Sequence, residues 1–176
     1  MSKQTIHITV NGRPVVKEVS TGQLLLDFLR DDLGLTGCKE ACSVGVCGLC
    51  TVIADGMTIS TCLLPAVCVD GKNLYTPEGL ADLKSQEGAL PEGAPNPDLW
   101  QIVQDSFLEC EGLQCGICTP GQVMSAVSLL SENPRPSEEE IRHFMAGNLC
   151  RCTGYQSIVN AIKTAAERWG SARVSV

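Results

Sequence analysis

The stretch CKEACSVGVCGLCT, Cys38 to Thr51, sets four cysteines close together. Three of them, Cys42, Cys47 and Cys50, are spaced C-x4-C-x2-C, and Cys62 follows after eleven residues. This spacing is the plant-type [2Fe–2S] ligand pattern. Thiolate sulfur suits iron–sulfur chemistry, and a compact loop lets several thiolates converge while its backbone N–H groups bond the sulfurs. Gly45 and Gly48 stand where such a loop passes close to the cluster. Zinc is the rival, but four-cysteine zinc sites usually show two C-x2-C knuckles rather than one knuckle behind a five-residue step. Cys38 does not fit the spacing and is expected to be a small buried apolar residue beside the loop.

The surrounding composition is that of a globular protein. Of 176 residues 44% are hydrophobic but only 4% aromatic, so two small cores of Leu, Val, Ile and Ala are expected. A net charge of −7 with no clustered Lys/Arg surface argues against nucleic acid as a partner. The N-terminus MSKQTIHITV has no apolar segment of signal-peptide length. No uncharged run approaches the roughly 18 residues that span a bilayer. A cytoplasmic protein without a transmembrane segment is expected. Disulfides are disfavoured there, so eleven cysteines against two histidines point to thiolate ligation or redox work.

Working outward from the loop, TIHITV alternates apolar Ile6, Ile8 and Val10 with Thr5, His7 and Thr9, the pattern of a half-buried strand that leaves His7 outside. Asn11-Gly12 predicts a two-residue hairpin turn into RPVVKEV. Leu24 to Gly34 has helical spacing at Leu25, Phe28 and Leu29 and stops at a glycine. CTVIA and MTISTC are joined by a second hairpin turn, Asp55-Gly56, and the strand-like KNLYT and a short helical segment from about Pro77 follow. The result is a mixed sheet gripping one helix.

Gly88 to Asp98, GALPEGAPNPD, reads as a linker, being dense in Gly and Pro without apolar periodicity. Beyond it four helices are predicted: Pro97 to about Glu109, Pro120 to Glu132, Ser137 to Ala146 with a Ser137-x-x-Glu140 capping box, and about Gln156 to Trp169. His143 falls on the exposed side of the third. QCGICTPG places Cys115 and Cys118 before the second helix, and NLCRCTGY places Cys150 and Cys152 before the fourth. Two interhelical loops can thus bring four thiolates together. Thr119-Pro120 and Thr153-Gly154 are expected to start helices whose N-termini favour the negative charge of a cluster. Spacing alone does not choose iron over zinc for this second set.

The two sets in this order, C-x4-C-x2-C…C, then Q-C-G-x-C-T-P-G, then G-N-L-C-R-C-T-G-Y, resemble the iron–sulfur small subunit of the molybdenum hydroxylases, the xanthine dehydrogenase family. The similarity runs from the first strand to Trp169. It implies an α+β chain with an N-terminal β-grasp, plant-ferredoxin-like domain over 1–80, a linker over 81–97 and a C-terminal four-helix domain over 98–176. Each domain would hold one [2Fe–2S] cluster, on Cys42, Cys47, Cys50 and Cys62 and on Cys115, Cys118, Cys150 and Cys152. The resemblance implies a large molybdopterin-binding subunit and a medium FAD-binding subunit as partners, in a heterotrimer or a dimer of heterotrimers. Cys152 is the ligand implied to lie against the pterin and Gln114 the amide implied to hydrogen-bond it. Ala41, where the family often has Gly, and Leu49, where Ala is usual, are departures expected to change loop conformation or packing against the flavin subunit. Cys38, Cys68 and Cys110 are left over and are expected to be buried thiols.

The implied role is an electron-transfer subunit of an oxidoreductase, with electrons passing from molybdenum–pterin through the helical-domain cluster and the ferredoxin-like cluster to FAD. The chain shows no general base, substrate pocket or nucleotide-binding glycine loop, so it has no catalytic residue of its own. Two other readings stand beside it: a free two-cluster carrier and a zinc-bound structural module.

Overall fold

The computed structural model describes residues 2–85, 90 and 93–174. Five strands, β1 (Lys3–Val10), β2 (Arg13–Ser20), β3 (Thr51–Ala54), β4 (Met57–Ser60) and β5 (Asn73–Tyr75), form one sheet in the order β2-β1-β5-β3-β4. β1 runs parallel to β5, and the other pairings are antiparallel. Both hairpins turn as their sequences predict: Asn11, Gly12, Asp55 and Gly56 all adopt positive φ, the conformation a two-residue type I′ turn demands. Along β1, Ile6, Ile8 and Val10 are buried and His7 is exposed.

The helix against the sheet is less regular than its spacing predicts. Only Leu25–Asp27 (α1) is α-helical; Phe28–Asp32 continues as a wider π turn, with the Leu33 N–H reaching back to the Phe28 carbonyl at 3.2 Å. It still buries Leu25, Leu26, Phe28 and Leu29 and ends before Gly34 in the left-handed conformation.

The helical part comprises α2 (Gly79–Ser85), α3 (Pro97–Glu109), α4 (Thr119–Glu132), α5 (Glu138–Phe144) and α6 (Gln156–Val174). Of the linker, residues 86–89 and 91–92 lie outside the described residues. Asn96 caps α3 by accepting from the Asp98 and Leu99 N–H groups, and the Ser137/Glu140 capping box opens α5. His143 is exposed on α5. α6 starts at Gln156 as its pattern predicts and outruns Trp169; Thr153-Gly154 does not start it, because Gly154 and Tyr155 take left-handed φ (64° and 69°) and hold that turn out of the helix.

Two cores form, as the low aromatic content predicts, and they meet at the central strands. Val52, Ala54 and Leu74 pack with Ile6, Phe28 and Leu29, whereas Ile53 and Tyr75 pack with Trp100, Val103 and Val127. β3 is buried at every residue because α4 covers its second face. A strand covered on both faces reads as a continuous apolar run, here TVIA. Among the described residues no helix is long and apolar enough to cross a membrane.

Candidate functional site

The first set of thiols is assembled by the loop between α1 and β3 and by the end of β4. Positive φ at Ser43, Gly45 and Gly48 coils the loop back on itself. The Thr51 hydroxyl donates to the Gly48 carbonyl at 2.7 Å and the Thr61 hydroxyl to the Cys50 carbonyl at 2.9 Å, fastening the loop's end beside Cys62. Cys47, Cys50 and Cys62 are buried and Cys42 is half-buried. The thiols act on each other two by two: the Cys47 side chain is among the groups that lower Cys42, and the Cys50 side chain among those that raise Cys62. The backbone N–H of Val44, with those of Cys47 and Val46, lowers the Cys42 thiol to about 6. Burial, with the Cys50 contact, raises Cys62 to about 11.

The second set is built from the α3–α4 loop and the α5–α6 loop. Cys152 donates to Cys115 across 3.5 Å at an exposed edge, and the half-buried Cys118 and Cys150 act on each other. The Ile117 N–H, first among its partners, holds Cys115 below the usual thiol range. Burial pushes Cys118 up to about 12. Burial also acts to raise Cys150, yet the Thr153 hydroxyl and the Thr153 and Cys152 N–H groups outweigh it, and this thiol is lowered. Gln114 is exposed next to Cys115.

In three of these pairs one thiol is lowered and its partner raised. Among the described residues no group of three or more His, Cys, Asp or Glu side chains is placed to hold a single metal ion. The four thiols gathered at each site would supply the thiolate donors of a [2Fe–2S] cluster. A zinc site would instead draw four donors to one point. The residues present therefore fit a [2Fe–2S] cluster at each site, and loading it displaces the protons of the raised thiols.

The two loops touch each other directly. The Leu149 N–H donates to the Cys47 carbonyl at 2.8 Å, the Asn148 side-chain amide to the Gly48 carbonyl at 3.0 Å, and the Gln122 amide to the Asn148 carbonyl at 2.8 Å. Asn148 and Gln122 are 5% and 1% exposed, so the two bonds that Asn148 makes are shielded from water. Gly121, at the start of α4, lies so close to Gly48 that a Cβ would fall inside 3.0 Å of the Gly48 carbonyl oxygen and 3.2 Å from Leu49 Cα. Sequence reading missed all of Gly121, Gln122, Asn148 and Leu149. The glycine at a helix start was the one available signal of close backbone approach.

The halves match separate family models. Residues 8–75 match a 2Fe-2S iron-sulfur cluster binding domain and residues 90–163 a [2Fe-2S] binding domain. The chain is 44% identical over 170 residues to the nicotinate dehydrogenase small FeS subunit of Eubacterium barkeri, covering 96% of this chain and 98% of that one. It is 39% identical to the xanthine dehydrogenase iron-sulfur-binding subunit of Escherichia coli O157:H7, covering 90% and 91%. Its fold is similar to a chain in the crystal structure of quinoline 2-oxidoreductase from Pseudomonas putida 86, with a TM-score of 0.81, 43% identity and coverage of 96% and 97%. The chain belongs to the iron–sulfur small subunits of the molybdenum hydroxylase family.

As a molybdenum hydroxylase small subunit it carries two [2Fe–2S] clusters and transfers electrons within an oxidoreductase that contains further subunits, without itself converting substrate. When bound, each cluster takes up and releases one electron. The zinc reading and the free-carrier reading fall away together: both halves match [2Fe–2S] domains, and the relatives are subunits of larger enzymes. The small subunit also corrects two expectations about leftover residues. Cys38 is fully buried and Cys110 partly so, but Cys68 is exposed. It lies in the 3-10 turn Ala66–Val69, where Ala66 and Val69, three residues apart, share the inward side and turn Cys68 outward. Leu49 is 8% exposed, with its Cα beside Gly121 of the helical half, so it offers little surface to another subunit.

Proposed function

We propose that Cys42, Cys47, Cys50 and Cys62 ligate one cluster and Cys115, Cys118, Cys150 and Cys152 the other, and that the chain is the conductor between a molybdopterin-binding large subunit and an FAD-binding medium subunit. Electrons enter at the Cys115–Cys152 edge, where Gln114 and Cys152 meet the pterin, and leave from the cluster on the Gly45–Gly48 loop towards FAD. The observation that carries this reading is the Leu149 N–H bond to the Cys47 carbonyl. It joins a ligand of the first set to the residue before a ligand of the second, a through-bond connection between the two sites.

Each site keeps one edge open beside exposed apolar residues: Val44, Val46 and Leu63 at the first, Ile117 and Leu149 at the second. Such edges suit close approach of a partner's redox centre, within a heterotrimer or a dimer of heterotrimers. On this reading residues 1–80 and 98–176 are the two cluster-binding units and 81–97 connects them. Eleven cysteines, with no disulfide among the described residues, support a reducing, cytoplasmic setting for the complex. The test uses the purified complex and rapid-freeze electron paramagnetic resonance after mixing with substrate. A Cys62→Ser complex that has lost the first cluster should still reduce the second but fail to reduce flavin at the wild-type rate. Unchanged flavin reduction would overturn the route.

A further inference from the structure

We propose that Thr153 sets the redox potential of the cluster held by the second set of thiols, by donating its hydroxyl hydrogen to the sulfur of Cys150. The inference rests on the reading that Cys150 is a cluster ligand.

The turn Cys150 to Tyr155 closes a ring of three hydrogen bonds. The Cys150 N–H donates to the Tyr155 hydroxyl oxygen at 3.1 Å, the Tyr155 N–H donates to Thr153 Oγ1 at 3.2 Å, and Thr153 Oγ1 lies 3.2 Å from Cys150 Sγ. The direction of the last bond follows from the other two partners. Thr153 Oγ1 already accepts from Tyr155, so its hydrogen is free to point at sulfur, and a ligating thiolate has no proton to give. The left-handed Gly154 and Tyr155 are what bring the Tyr155 N–H back onto Thr153. A non-glycine residue at φ 69° is strained, and the ring supplies the contacts that keep it there.

Hydrogen bonds to the sulfurs are one of the protein's levers on cluster potential. Reduction adds one electron to the cluster, supplied by the partner's reduced centre or by dithionite; no bond breaks and the threonine proton stays on its oxygen. The more negative, reduced state accepts the O–H bond more strongly, so the bond raises the potential. The first site lacks this device among the described residues: the Thr51 and Thr61 hydroxyls go to carbonyls and the Ser43 hydroxyl goes to Glu40. Thr153 therefore holds the second cluster at a more readily reduced level than backbone N–H groups alone would.

The experiment is an electron paramagnetic resonance-monitored potentiometric titration of the assembled complex, comparing wild type with Thr153→Val and Thr153→Ser. The valine variant keeps the shape and loses the donor; the serine variant keeps the donor. The expected result is a fall of about tenfold in the ratio of reduced to oxidised second cluster at fixed potential, about 59 mV for one electron, in the valine variant alone. The first cluster should not move. If the valine variant does not load, Thr153→Ala replaces it. A threonine that merely closes the turn would change thermal stability and leave both potentials in place, and that result, or a serine variant that fails to restore the wild-type value, overturns the proposal. A wild-type complex lacking the second signal would instead overturn the ligand assignment on which it rests.

Discussion

Replacing Gly121 by alanine tests whether the seam between the two halves is held by direct backbone contact. Taken alone, α4 should gain up to about 1 kcal/mol from the change, because glycine is the poorer helix former. The packing reverses the sign. A Cβ at 121 falls inside 3.0 Å of the Gly48 carbonyl oxygen, 3.2 Å from Leu49 Cα and 3.3 Å from the Gly48 carbonyl carbon, where ordinary contact begins at 3.4 Å. The obstruction is backbone that cannot swing aside, so the halves must part by at least 0.4 Å (3.4 minus 3.0). Parting stretches the Leu149–Cys47 and Asn148–Gly48 bonds from 2.8 and 3.0 Å. Overpacking costs about 1–3 kcal/mol and each weakened hydrogen bond up to about 1 more. A net loss of about 2 kcal/mol lowers the unfolding midpoint of a chain of this size by about 4–8 °C. Thermal unfolding followed by visible absorption reads the midpoint, and the magnetic interaction between the two reduced clusters should weaken in the same variant. Gly147→Ala is the control, since a Cβ there meets nothing within 4 Å, and it should leave both readouts unchanged. A Gly121→Ala protein as stable as wild type, with the cluster interaction intact, would refute the close-packed seam.

Cys38→Ser should retain the full iron content and visible absorption, because Cys38 is fully buried next to Cys50 without being one of the paired thiols; loss of half of either would make it a ligand. Cys62→Ser should halve the iron and remove one paramagnetic signal, and retention of both signals would mean that another thiol completes the first set. Burial pushes the Cys38 thiol up to about 12 from 9.0, so the folded state favours its neutral form. That contribution is complete below pH 9 and is lost as pH rises towards 12. Denaturation midpoints measured across this window should fall in wild type and flatten in Cys38→Ala; parallel curves would show that Cys38 does not titrate differently on folding.

Local chemistry was legible because it is written in neighbouring residues. Asn11-Gly12 and Asp55-Gly56 announce their turns, the alternation in TIHITV announces β1, and Ser137 with Glu140 announces α5. The two groups of cysteines stand in loops whose spacing is itself the signal. What escaped is either long-range or geometrically unannounced. Asn148 meets Gly48 across 100 positions of chain, and no pattern within either segment marks the meeting. Buried Gln122 sits on a helix face where an apolar residue would be the default, so its amide bond to Asn148 could not be read from periodicity. The π turn at Phe28–Asp32 carries no glycine or proline to declare it. Cys68 was misplaced because a 3-10 turn turns over its faces faster than an α-helix does.

The most direct test of the account is a combined iron and sulfide assay on the purified complex with electron paramagnetic resonance after reduction. Two [2Fe–2S] clusters require four irons and four sulfides per copy of this chain and two distinguishable signals. A complex whose copy of this chain contains zinc without sulfide, or only one cluster's complement of iron and a single signal, would contradict it.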